Sequence, residues 1–537
     1  MASTLERETG FSGEWRLLVS QANTTLRRLA LLGGAAVVVA AIVLRFWAPS
    51  ALWLDETISV NIASLPITSI PQALSHDGSP PLYYLVLHVW MLIFGQGDTA
   101  VRGLSGVVSV LSLPLFWTAG RRFGGRRTAW VSFGLGLTSP FAIDYATTAR
   151  MYSFMILWTL LGIGILARIL EEPTHNRRIA VGALTAAILY THYYGIYLVG
   201  TVGAWFLWRI IRESRLGPSP DDPPGLRPAF GAIVIGVVCW LPWAPVFVYQ
   251  TLHTGTPWSG SAGPADLLGI FGDFAGAGQW GVLLSFGFFA LLILGIFGRS
   301  VEPHVEDGRS APSVLLVGRP RRHILPLLVI LAGTLVVAIV LDAVAHAAFV
   351  ARYGSVVLPL FLVLVAVGIT VIHDRRAVAS LAAVACLAGL LSASGARDTL
   401  RTEASRVAAV LNVQAQPGDL VVYCPDQLGP AVNRLITVPQ VNELTFPKAI
   451  GPQRVDWVDY KKVISKTDVG TFAQRMVSKL SADHTLWLVW RDGYPGLGGS
   501  CGYLQSWLNM LRPTGQTVVR SEPGHYYESE NLVRYSA

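Results

Sequence analysis

The chain of 537 residues is 52% hydrophobic, only 14% charged, and carries a formal net charge of +8. A soluble domain holds roughly 25% charged residues, so an ordinary soluble enzyme is excluded. The positive balance does not point to nucleic acid either. The arginines sit in short clusters between apolar runs, where positive-inside topology puts them.

The first 28 residues hold three acidic residues and four arginines before any long apolar run, which predicts a cytoplasmic lead-in and not a cleavable signal. A first span fits 29–48, with Arg27 and Arg28 on its cytoplasmic flank and Pro49 outside. The outer loop 49–100 follows. In it, an amphipathic helix is predicted over 57–74, and the short segment PPLYYLVLHVWMLIFG (80–95) is predicted to be interfacial or re-entrant. Counting 80–95 as a full span would put GRRFGGRR (120–127) outside, against the charge rule. With it excluded, further spans fall near 101–119, 128–144, 152–168, 178–191, 196–211, 228–249, 279–298, 323–344, 353–372 and 377–394. Eleven spans result, and all five strongly basic loops land inside. This predicts a polytopic all-α membrane domain over 29–394 in the plasma membrane.

From 395 to 537 the apolar runs stop. Strands are predicted at 419–426 and 484–492, with a weaker one at 453–460, and helices at 400–415, 429–435, 471–480 and 503–512. Their alternation predicts an α/β domain with a small parallel or mixed sheet, on the extracytoplasmic side. The first strand has no glycine-rich phosphate loop after it, so a nucleotide fold is unsupported. The domain is expected to shape or cover the acceptor side of a site. Cys424 and Cys501 both lie in this tail, where a disulfide is open to them in an oxidising compartment.

The outer loops and their flanks gather isolated polar and aromatic residues: Asp55, Glu56, His76, Asp77, Tyr83, Tyr84, Asp144, Tyr145, Arg150, Tyr152, His192, Tyr193, Tyr194, His346, Arg352 and Tyr353. Charges near membrane depth are costly unless paired or used. Asp55 and Glu56 offer a carboxylate that could act as a general base, or they cap a helix N-terminus. Arg150 and Arg352 are lone outer-face arginines that could hold a phosphate through forked donors, or they snorkel among interfacial tyrosines. His76 and His192 suit hydrogen bonds to phosphate or sugar. The histidines show no spacing for metal, and no cofactor is indicated. The glycine- and tryptophan-containing stretch 258–281 is expected to be a mobile cap over these groups. A transporter or flippase would place its charges mid-span and show repeat symmetry, and neither is visible.

Taken in order, WLDE (53–56), HDGSPPLYY (76–84), GDTAVR (97–102), SPFAIDYATTARMYS (139–153), THYYG (191–195) and ARY (351–353) resemble the GT-C class of membrane glycosyltransferases. They are most similar to the protein O-mannosyltransferase and aminoarabinose-transferase superfamily. The resemblance implies a polyprenyl-phosphate sugar donor, inverting transfer on the outer face, a catalytic acidic residue at Asp55 with Glu56 beside it, and phosphate binding by Arg150 and Arg352 with help from His76. A basic residue sometimes seen before the proline of the second motif is replaced here by Ser79. The tail length and the Ala/Gly/Arg/Val-rich composition resemble an actinobacterial envelope enzyme. That setting implies decaprenyl-phosphate mannose or arabinofuranose as donor, with mannose favoured as the commoner donor, and a glycan, glycolipid or protein as acceptor.

Overall fold

The computed structural model describes residues 25, 28–29, 31–217, 222–254, 263–300, 305–306, 309–310, 314–344, 349–494 and 496–536. The cytoplasmic lead-in lies almost wholly outside these residues, as does His346. Helix α1 (Leu31–Phe46) leads into the segment predicted to be the first outer loop. There α2 (Leu54–Ala63), α3 (Ile70–Leu74) and α4 (Leu82–Phe94) lie close together. The single amphipathic helix predicted over 57–74 is therefore two helices. The first starts earlier, at Leu54, and buries eight of its ten residues. Chain direction changes at Ser64–Ser69, where Pro66 has no amide to carry a helix onward.

Next comes α5 (Asp98–Thr138), which folds back on itself at Gly125, a residue at φ +77° that glycine adopts without strain. Its two arms touch. A Cβ on Gly120 would meet the Thr128 carbonyl at 2.7 Å, and one on Gly136 would meet the Phe116 ring at 2.5 Å. The predicted span 128–144 ends early, because Ser139 leaves helical geometry and Pro140 opens α6 (Pro140–Ala146). Then follow α7 (Tyr152–Glu171), α8 (His175–Thr191), α9 (Tyr194–Leu216), and α10 (Leu226–Trp240), which continues through a 3-10 turn into α11 (Ala244–His253). The stretch predicted to be a mobile cap is in large part helix, α12 (Pro264–Ala275), while 255–262 lie outside the described residues. Ile270 and Phe274 of α12 press against Gly354, where an added Cβ would clash at 2.4 Å. After α13 (Gly278–Phe297), a loop carries the short ladders β1 (Gly298–Ser300) with β4 (Val314–Leu316), and β2 (Val305–Glu306) with β3 (Arg309–Ser310). The helical part closes with α14 (Leu325–Val344), a 3-10 turn at Ala351–Val356, α15 (Leu358–Thr370) and α16 (Arg375–Gly395).

Each of the eleven predicted apolar segments coincides with helix. Among the described residues, seven helices are long and apolar enough to cross a membrane, and Leu31–Phe46, Leu82–Phe94 and Leu358–Thr370 are shorter apolar helices. The chain is a multi-pass membrane protein. One buried arginine ties the bundle: Arg45 of α1 donates to the carbonyls of Leu137 (2.7 Å) and Gly136 (2.8 Å) and to Ser109 (3.0 Å).

The C-terminal region begins with β5 (Leu400–Thr402) and continues with α17 (Ala404–Gln414), β6 (Leu420–Cys424), α18 (Gly429–Asn433) and β7 (Asn442–Thr445). It goes on with α19 (Tyr460–Lys466), α20 (Val469–Ser478), β8 (Leu486–Trp490) and α21 (Ser500–Leu511), and ends in β9 (Gly515–Val519), β10 (Tyr526–Glu528) and β11 (Asn531–Tyr535). The main sheet runs β7-β6-β8-β11-β9, parallel across its first three strands and antiparallel across the last three. Side chains alternate between its faces. Val421, Tyr423, Trp487 and Val489 meet α17 and α18, while Leu420, Val422, Leu486 and Leu488 join a core continuous with α2 and α4. The third strand predicted at 453–460 is instead a turn leading into α19. Asp456 there is engaged by Lys448 and His76, and Asp459 sits at φ +51°. Cys424, at the end of β6, is disulfide-bonded to Cys501 in α21.

Candidate active site

The first turn of α2 carries two neighbouring carboxylates into different surroundings. Acidic side chains there are favoured by the amide dipoles of the helix start. Glu56 is fully buried. Arg102 grips it in bidentate fashion, Nε to Oε1 at 2.8 Å and Nη2 to Oε2 at 2.6 Å. The Ala149 amide donates to Oε1 at 2.8 Å, and Arg401 from β5 stands 3.4 Å away. Burial alone would push this carboxyl up. The charge and hydrogen bonds of Arg102, then Arg401 and the Ala149 amide, outweigh it and hold Glu56 below its ordinary value.

Asp55 faces the other way. Its Oδ2 is buried, accepts no hydrogen bond and stands 3.7 Å from Nη1 of Arg352. Arg352 occupies the 3-10 turn pinned under α12. Arg150, from the turn between α6 and α7, also feels the charge of Asp55. Its Nη1 donates to Ser59 (3.1 Å) and Tyr84 (3.2 Å), while its Nε is buried without a hydrogen-bond partner. Tyr84 in turn donates to Asp77 at 2.8 Å, which places Asp77 at the margin of the cluster. Tyr83, its hydroxyl buried without a partner, packs edge-on against Tyr84.

An aromatic wall completes the cluster. Tyr145 meets Tyr152, Tyr152 meets His192, and His192 meets Tyr353, with ring centroids 4.9, 5.9 and 5.0 Å apart. Burial, reinforced by Arg150 and Arg352, pushes His192 down to about 3, so its ring is neutral. Asp55, Arg150, Arg352 and the tyrosines 84, 145, 152 and 353 therefore converge. Three predicted residues turn elsewhere. His76 is half-exposed and pairs with Asp456 at 2.8 Å. Asp144 accepts from Arg401 at 3.1 Å. Tyr193 donates to Gln250 and accepts from Trp243.

Three further residues shape the site. Arg102, in the first turns of α5, is an isolated arginine at the edge of the predicted outer loop, so the sequence argument made for Arg150 and Arg352 reaches it. Arg401 bonds the Thr147 carbonyl at 2.6 Å besides touching Glu56. Glu528 of β10 accepts from the Leu54 amide at 3.2 Å. Neither Arg401 nor Glu528 has a local signature, because their partners lie hundreds of residues away. Among the described residues, no group of three or more His, Cys, Asp or Glu is arranged to hold a metal ion.

Residues 78–219 match the family model described as dolichyl-phosphate-mannose-protein mannosyltransferase. No curated protein matches the chain. Among solved structures, the chain is similar to ArnT from Cupriavidus metallidurans bound to undecaprenyl phosphate, at 14% identity and a TM-score of 0.58, covering 95% of this chain and 98% of that one. The apo state of the same protein aligns at 14% identity with a TM-score of 0.57, covering 95% and 99%. The chain thus shares the fold of ArnT over nearly its whole length, and its residues 78–219 match the mannosyltransferase family model.

Proposed function

We propose that this protein is a membrane glycosyltransferase that moves a sugar from a polyprenyl-phosphate donor to a hydroxyl of an envelope glycan, glycolipid or protein on the outer face of the plasma membrane. The observation that carries this reading is the convergence of one carboxylate, Asp55, with two part-buried guanidiniums, Arg150 and Arg352. Arginine stays charged at any accessible pH, so the pair is a permanent receptacle for a phosphate. A site already holding two cations and one anion carries a net positive charge, which suits the single charge of a phosphodiester joining lipid to sugar and the further charge its phosphate gains as the sugar leaves.

The chemistry is a single displacement with inversion. The acceptor oxygen attacks the sugar C1 and the bond from C1 to the phosphate oxygen breaks. Asp55 takes the acceptor proton, and the lipid phosphate leaves with the electron pair of the broken bond. The Asp55 Oδ2, buried without a hydrogen bond and 3.7 Å from Arg352, is the oxygen that would meet the acceptor hydroxyl. Arg150 and Arg352 then stabilise the charge that grows on the leaving oxygen. Glu56, with both oxygens engaged by Arg102, holds the turn and does not titrate with the substrate. Mannose is the favoured sugar because the family model matching 78–219 describes mannosyltransferases; an arabinofuranosyl donor is the alternative.

The deciding experiment offers the purified, reconstituted protein mannosyl- and arabinofuranosyl-phosphate polyprenols side by side, with the product linkage read by NMR. Transfer from the mannosyl lipid with inverted configuration is expected. Transfer from the arabinofuranosyl lipid alone would reassign the donor, and retention at C1 would refute the single displacement.

A further inference from the structure

The C-terminal region reaches the first turn of α2 through a separate two-stranded parallel ribbon, β5 with β10, in which Leu400 lies opposite Tyr526 and Thr402 opposite Glu528. Each strand seizes one neighbour of Asp55. From β10, Glu528 accepts the Leu54 amide with its two oxygens at 3.4 and 3.2 Å. This is an N–H that the helix start leaves without an internal partner, and Trp53, at the capping position, has no side-chain oxygen to offer it. From β5, Arg401 holds Glu56 on one side, and Thr147 and Asp144 on the other. Tyr527 packs edge-on against Trp53 with ring centroids 5.7 Å apart. Asp55 thus sits between a backbone amide, that of Leu54, and a side-chain carboxylate, that of Glu56, both held by one ribbon. The contact is dry as well, with Glu528 only 2% exposed.

We propose that Glu528 is a positioning residue for Asp55, fixing the α2 turn from the C-terminal region so that the Asp55 carboxylate stays aimed at the two guanidiniums. This deepens the reading of Asp55 as the base and rests on it. The groups around Glu528 are mostly acidic or phenolic: Asp55 and Glu56 on α2, Glu530 and Glu403 behind it, Tyr494 and Arg491 after β8, Tyr527 beside it, and Arg401 across the ribbon. Burial first, with the Asp55 charge adding to it, pushes the Glu528 carboxyl up to about 8. Below that pH Glu528 is neutral. Above it, a second carboxylate appears beside Asp55, which like-charge repulsion opposes. Turnover should therefore change along a limb near pH 8 that belongs to Glu528.

The test compares Glu528→Ala and Glu528→Gln with wild type in the full-length, reconstituted protein. Alanine leaves the Leu54 amide unpaired. It should lower kcat by about tenfold or more while leaving the donor KM unchanged, because the phosphate clamp is intact. Glutamine keeps a carbonyl acceptor and cannot ionise. It should recover most of the kcat that alanine loses and abolish the limb near pH 8. Hydrogen exchange across residues 52–58 gives a readout independent of turnover, faster in Glu528→Ala than in Glu528→Gln. Wild-type turnover with neither kcat nor exchange altered in Glu528→Ala overturns the positioning role, as does a Glu528→Gln profile that keeps its alkaline limb. Altered exchange in a protein that transfers neither mannose nor arabinofuranose overturns instead the functional reading beneath it.

Discussion

The two sides of the α2 turn hold the same chemical group one residue apart and treat it in opposite ways. On the Glu56 side every charge is answered: a bidentate arginine, a second arginine and a backbone amide surround one fully buried carboxylate. On the Asp55 side the charges are gathered but left under-used, with a buried Asp55 oxygen that accepts no hydrogen bond, a buried Arg150 Nε, and a Tyr152 hydroxyl without a partner. Buried polar groups are normally satisfied, so saturation marks structure and deficit marks a place kept for something else. The neighbouring glutamate is the internal control for the aspartate.

That contrast can be broken in graded ways. The largest effect should come from Asp55→Asn, which keeps shape and removes the base. Turnover should fall by about 10²–10⁴-fold with the thermal midpoint little changed, as read in a reconstituted transfer assay alongside thermal unfolding. Arg102→Ala acts on the saturated side and should reverse the pattern. Breaking a buried ion pair from one end costs about 3–5 kcal/mol of stability, measurable as loss of folded protein before any kinetic question arises. Arg352→Ala should weaken donor binding by about 1.5–3 kcal/mol, the worth of a hydrogen bond to a charged group, and a donor KM equal to that of wild type would remove Arg352 from the phosphate site. The smallest effect belongs to His76→Ala. Its half-exposed pair with Asp456 should be worth about 0–1 kcal/mol, leaving donor KM unchanged in the same assay.

The saturated side also has a pH signature. Glu56 lies below its ordinary value in the folded protein, so its contribution to stability is present above the unfolded carboxyl value. It is lost as pH falls through the folded one. Glu528, pushed upward, has the opposite sign: what it contributes is present at low pH and is lost as pH rises through about 8. Across pH 4–9 the thermal midpoint of Glu56→Gln should therefore fall further below wild type as pH rises, whereas Glu528→Gln should match wild type at low pH and exceed it as pH rises through about 8.

Much of this was legible in the sequence because membranes make charge conspicuous. Asp55, Arg150 and Arg352 stand out as isolated charges on outer loops, and the helices follow the apolar segments. The misses have physical reasons. The helix break at Ser64–Ser69 was hidden inside an apolar stretch that reads as one amphipathic element. His76 and Tyr193 sit in motifs that suggest ligands, yet tertiary partners from other elements, Asp456 and Gln250, claim them. Arg401 and Glu528 lie in a region of ordinary composition, where charge carries no alarm, and only the fold brings them to α2.

The hydrogen bond between Leu54 and Glu528 spans 474 positions of sequence. The ribosome therefore releases the two halves of this contact far apart in time, and α2 must wait, its leading amide hydrated, while the remaining helices insert. A protein translocated only as far as α21 would own its base and both guanidiniums, yet lack the clasp that trains them on one another. On the reading of Asp55 as the base, competence is then conferred last.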